Sequence, residues 1–88
     1  MGIKELNKEI KSFYSKLDFH CDKIEDDTIF IATRENGCTL NEEPSDEDWD
    51  NAIKIEQFVE DLCDRRGLEA YCNTYTVDEW TQIDIVLL

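Results

Sequence analysis

Positive charge is what this sequence most lacks. Its 88 residues hold 9 Lys plus Arg against 22 Asp plus Glu, for a formal charge of −13 and a pI near 4.2. A surface that grips nucleic acid or an anionic membrane needs cationic contacts, so this balance argues against both as direct ligands. Long apolar runs are missing as well. No stretch of about 18 apolar residues exists, so no membrane span is expected. The opening Met1-Gly2-Ile3-Lys4-Glu5 has no apolar core of a secretory signal, and Leu6 and Asn7 stand near the sixth position, where a myristoylation pattern wants Ser or Thr. The expected location is the cytoplasm. The chain has one histidine and four cysteines (Cys21, Cys38, Cys63, Cys72), with no Cys-x-x-Cys pair. That spacing gives no zinc site, and the thiols read as reduced core fillers. A Gly-rich phosphate loop and a Gly-x-Ser-x-Gly elbow are both absent, so no enzyme, cofactor or metal is expected.

What is present is enough apolar material for a core. Hydrophobic residues make up 41% of the chain, which excludes wholesale disorder and fits one α+β domain over residues 1–88. Ile3, Leu6, Ile10, Phe13, Tyr14 and Leu17 recur at helical spacing, predicting a helix from Ile3 to Lys16 that carries Lys4, Lys8, Lys11 and Lys16 off its apolar stripe. Leu17 to Ile24 alternates as a strand with one wet face. Glu25-Asp26-Asp27 makes an acidic turn. Thr28 to Thr33 is β-branched and apolar on both faces, as a central strand is. Asn36-Gly37 is a hairpin signal, so Cys38-Thr39-Leu40 is expected to pair back as a short strand.

A second helix is predicted from Asp46 to about Arg66. Ser45 stands at its cap, acids fill its first turn, Arg65-Arg66 its last, and Gly67 ends it. Its expected apolar face is Trp49, Ala52, Ile53, Ile55, Val59, Leu62 and Cys63, with Phe58 at the flank. Two further strands follow, Glu69–Val77 and Trp80–Leu88, with Asp78-Glu79 between them. The predicted order is α-β-β-(β)-α-β-β, two helices on one face of a mostly antiparallel sheet.

The candidate functional residues come from the acidic block. Ten acids lie between Glu42 and Asp64, with Lys54 as the lone base among them. The residues expected to meet a partner are Glu42, Glu43, Asp46, Glu47, Asp50, Glu56, Glu60, Asp61 and Asp64. On a helix, Glu56, Glu60 and Asp64 fall in one i, i+4 row and Asp46 and Asp50 in another, at spacings comparable to phosphates along a nucleic-acid strand. The alternative is a solvated acidic face. Like charges at such spacings oppose folding, and their retention suggests a cationic surface to meet. Tyr71 and Tyr75 share one strand face and are candidate anchors for the same partner. Together with an unpaired edge strand they are also compatible with a homodimer. Asp46-x-Asp48-x-Asp50 begins like a calcium loop but has Asn51 and Gln57 where Gly and Glu are needed. His20 and Cys21, as strand neighbours, point to opposite faces and should not pair.

The opening Ile3-Lys4-Glu5-Leu6-Asn7-Lys8-Glu9-Ile10-Lys11 is similar to the first helix of an anti-CRISPR inhibitor of Cas9. In size, charge and element order the chain resembles the small acidic phage-encoded inhibitors that mimic DNA. The likeness covers about ten residues and carries over no individual acidic contact. It implies a mode of action: occupation of a cationic nucleic-acid channel. The expected function is therefore a non-enzymatic nucleic-acid mimic that blocks the basic surface of a nuclease or Cas effector. An immunity protein or antitoxin for a basic toxin, and an acidic adaptor, are the alternatives.

Overall fold

A computed structural model describes residues 2–35, 38–39, 46–77 and 80–88. The order is α1 (Ile3–Lys16), β1 (His20–Glu25), β2 (Thr28–Ala32), β3 (Arg34–Glu35), β4 (Cys38–Thr39), α2 (Asp46–Arg66), β5 (Ala70–Val77) and β6 (Trp80–Leu87). The protein is α+β, as its periodicities imply. Four antiparallel strands form a sheet in the order β1-β2-β6-β5. The optional short strand of the sequence reading is divided: β3 and β4 pair with each other as a separate two-stranded ladder. Asn36-Gly37 and the Ser45 cap lie outside the described residues, as do Leu40, Pro44 and the Asp78-Glu79 turn.

Both helices lie on one face of the sheet, α1 against β1 and β2, α2 against β5 and β6. The strand period of two puts Ile29, Ile31, Ile83 and Ile85 on that face, all fully buried. From α1 come Leu6, Ile10 and Tyr14, and from α2 come Ala52, Ile55, Val59, Leu62 and Cys63. The helices touch each other through Phe13 and Phe58, whose rings stack at 4.4 Å, and through an Arg66–Glu9 ion pair. These two contacts make the helices antiparallel, since Glu9 precedes Phe13 while Arg66 follows Phe58.

Each helix ends in the same motif. After α2, Gly67 adopts φ 69, its N–H donates to Asp64 O at 3.3 Å, and the Leu68 N–H donates to Cys63 O at 2.8 Å. This satisfies two otherwise orphaned carbonyls. After α1, Asp18 holds the left-handed position at φ 61, with its own N–H on Ser15 O at 3.3 Å and the Phe19 N–H on Tyr14 O at 3.0 Å. The strand expected from Leu17 therefore starts at His20, because Leu17 and Asp18 are used to stop the helix. Asp26 is also left-handed, at φ 54, where the chain reverses between the paired Glu25 and Thr28.

Trp49 and Ile53 correct the predicted apolar face of α2. They are 41% and 38% exposed, whereas Asp48 is buried at 9%. The helical angle explains this. At about 100° per residue, Trp49 and Ile53 lie some 80° and 120° from Val59, the centre of the buried stripe, whereas Asp48 lies within about 20° of it.

Candidate interaction surface

The acids of α2 divide into two sets once the helix is placed. Glu56 is half-buried and accepts a hydrogen bond from Thr74 Oγ1 on β5. Glu56, Glu60 and Asp64 are successive on one flank, and that flank overhangs β5. Glu60 and Asp64 are exposed and share a cleft with Glu69, Cys63, Leu68, Ala70 and Leu88. Along the row, Glu56 meets Thr74 and Asp64 meets the cleft wall at Ala70, so helix and strand run antiparallel. By helical angle Trp49 and Ile53 extend this same flank beyond Glu56.

The second set, Glu47, Asp50 and Asp61, is exposed on the remaining outer surface of the helix, while exposed Asp46, about five whole turns before Asp64, falls at the far end of the first flank. Asp61 is tied to Arg65 one turn on, with N···O 3.6 Å. Among the described residues no cation of this chain pairs with Asp46, Glu47, Asp50, Glu60 or Asp64. Most of the exposed lysines are gathered elsewhere, Lys4, Lys8, Lys11 and Lys16 on α1 and Lys23 on β1, while Lys54 is exposed on α2 itself. The outer layer is thus basic over α1 and acidic over α2. Glu42 and Glu43 lie outside the described residues.

Tyr71 and Tyr75 do share a face, the one that the helices leave open. Tyr71 is 57% exposed. Tyr75 is held by its neighbours: its hydroxyl donates to Asp84 Oδ2 at 2.8 Å and accepts from Gln82 Nε2 at 2.8 Å. Gln82 also donates to Asp84 Oδ1 at 3.0 Å and accepts from Trp80 Nε1 at 3.0 Å. Burial, followed by the bond and charge of Asp84, pushes the Tyr75 phenol up to about 12. Tyr75 therefore serves the sheet, and Tyr71 is the tyrosine on offer. Sequence reading missed this network, although Trp80, Gln82 and Asp84 at i, i+2 and i+4 of a strand had to share a face. Lys23 covers Phe30 on the same open side, 4.8 Å from the ring centroid, and pairs with Glu25 at 3.1 Å.

The described thiols Cys21, Cys63 and Cys72 are unbridged. Burial raises all three, and Cys72 goes up to about 12 because Glu56 and Glu60 add their charge to its desolvation. A raised thiol is a poor nucleophile at neutral pH. His20 and Cys21 take opposite faces, with Cys21 beside Tyr14 on the helix side. The Asp46-x-Asp48-x-Asp50 run is helical with Asp48 turned inward, and no group of three or more His, Cys, Asp or Glu among the described residues is placed to hold a metal. Among the described residues no helix is long and apolar enough to cross a membrane.

No protein-family model, curated protein or solved structure matches this chain.

Proposed function

We propose that this protein is an acidic, non-enzymatic mimic of nucleic acid, acting in the cytosol. It binds the basic DNA- or RNA-binding surface of a nuclease or a CRISPR-Cas-type defence protein and blocks it. One observation carries the reading. The carboxylates of Asp46, Glu47, Asp50, Glu60 and Asp64 lie exposed on a single helix, and no ion pair within the described chain neutralises them. Such an array repels itself, and a cationic counterpart would relieve the strain. The action is competition: charge steers the encounter, and the exposed apolar groups on the same helix, Trp49 and Ile53, hold the complex.

The test is displacement. Purified basic nucleases and Cas effectors are titrated with this protein over a range of salt, with and without excess polynucleotide. Binding should weaken steeply with salt, and polynucleotide should displace the protein. Changing Asp50 and Asp64 to Asn and Glu60 to Gln should slow association while leaving the fold intact. Tight binding that polynucleotide does not disturb would instead mark a site-specific partner of the immunity-protein kind, and mimicry would be wrong.

A further inference from the structure

We propose that the outer edge of β5 is a strand-pairing site, and that it takes an extended basic segment of the partner into the sheet. The inference rests on the reading above that the partner is cationic, and adds how that partner is held.

The backbone supplies the first half of the case. β5 ends the sheet, so one side of it is unpaired among the described residues. The Leu88 N–H donates to Glu69 O at 2.9 Å, and Leu88 and Glu69 continue the β5–β6 register. In an antiparallel ladder the bonded residues alternate. Tyr71, Asn73, Tyr75 and Val77 therefore bond to β6, and the N–H and C=O groups of Ala70, Cys72, Thr74 and Thr76 point outward. Edge strands are usually blunted by charges, proline or bulges. The other edge, β1, has such protection: it carries Asp22, Lys23 and Glu25, and its register breaks between Cys21 and Lys23. β5 has none. Its eight residues AYCNTYTV are uncharged, and all eight pair with β6 in unbroken register.

The side chains supply the second half, and they choose the occupant. Glu56, Glu60 and Asp64 overhang this edge at about 6 Å per step along the helix axis. Alternate side chains of a strand stand about 6.6–6.8 Å apart. A strand laid beside β5 would thus present every second side chain to successive carboxylates. Beyond Glu56 the flank turns apolar at Ile53 and Trp49, 38% and 41% exposed. The fitting segment has Lys or Arg at alternate positions, followed by an apolar residue. A second copy of this chain fits poorly, since pairing two β5 edges would bring two acidic rows together.

The probe is a capped ten-residue peptide alternating Lys with Val or Thr, read by NMR amide exchange and by titration at low and high salt. We expect slowed exchange at the amides of Ala70, Cys72, Thr74 and Thr76, with salt-sensitive affinity. N-methylating the alternate peptide amides that face β5 should weaken binding about tenfold or more, and methylating the other set should not. Thr76→Pro removes an outward N–H without touching the β6 ladder, so it should fold normally and lose a similar factor. Salt-sensitive binding with those four amides unprotected, or with both methylated peptides as tight as the parent, would overturn edge pairing and leave the acidic-mimic reading standing. Failure of the peptide to bind at low salt would also overturn edge pairing, while the displacement test above judges the function separately. Self-association through β5 that excludes the peptide would overturn the choice of occupant.

Discussion

Replacing Glu60 with Gln separates what this protein does from what holds it together. Glu56 and Asp64 lie four residues to either side, about 6 Å away along the helix axis. Two unit charges at that distance in water repel by about 0.7 kcal/mol. Screening at 0.15 M salt, where the Debye length is about 8 Å, leaves about 0.3 kcal/mol for each neighbour. Gln has nearly the same helix propensity as Glu, and among the described residues Glu60 has no cation to lose. Glu60→Gln should therefore stabilise the fold by about 0.7 kcal/mol. For a domain of this size that is a rise in Tm of about 3–5 °C. At 1 M salt the Debye length falls to about 3 Å and the gain should shrink to about 1 °C. Thermal unfolding followed by far-UV circular dichroism at both salt concentrations reads this directly. The same variant should associate more slowly with a basic partner. A drop in Tm, or a gain that ignores salt, would mean that Glu60 is not held against its neighbours' repulsion, and the charge-conflict reasoning would fail.

Three further outcomes follow from the fold. The two helix ends make a matched pair. Gly67→Ala should cost about 1 kcal/mol, because no atom lies within 4 Å of the added Cβ and the penalty is the left-handed backbone alone. Asp18→Gly should gain about 0.5–1 kcal/mol, since it relieves the same conformation at φ 61 and removes a negative charge from a helix C-terminus. Urea unfolding of both variants checks the signs. Phe58→Ala deletes one ring of the Phe13 stack, half-buried between the helices, and should cost about 2–3 kcal/mol in the same assay. The alkaline limb has a defined sign. Cys72 and Tyr75 are raised from 9.0 and 10.0 to about 12 in the fold, so their contribution is complete below the unfolded values and is lost as pH climbs toward 12. Circular dichroism against pH should show stability falling from about pH 9, and Cys72→Ala should make that fall shallower without moving its start, because burial raises Cys21 and Cys63 as well.

Much of the candidate surface was readable as residues but not as geometry. That Glu56, Glu60 and Asp64 form a row is a property of the helix repeat. That the row overhangs the outer edge of β5, unpaired among the described residues, depends on which sheet edge α2 covers, and no local pattern encodes that. Asp61 reads as part of the acidic face, and the structure sets it 3.6 Å from Arg65 in an exposed pair one turn on. Trp49 and Ile53 read as core in the sequence because they are apolar and near the right spacing. The stripe that packing selected is centred on Val59 and leaves both on the flank.

The amino-acid order alone determined the elements, because helix and strand periods of apolar residues are local and Gly67 marks an end by its own backbone freedom. It also determined the sign of the charge and the families of chemistry that charge excludes. Strand order, the choice of β5 rather than a hydrophobically richer strand as an edge, and the division of tyrosines into a tethered Tyr75 and an offered Tyr71 were decided only in three dimensions. Those features arise from contacts between residues distant in the chain, where the competing packings differ by the burial of whole faces and not by the preference of any one residue.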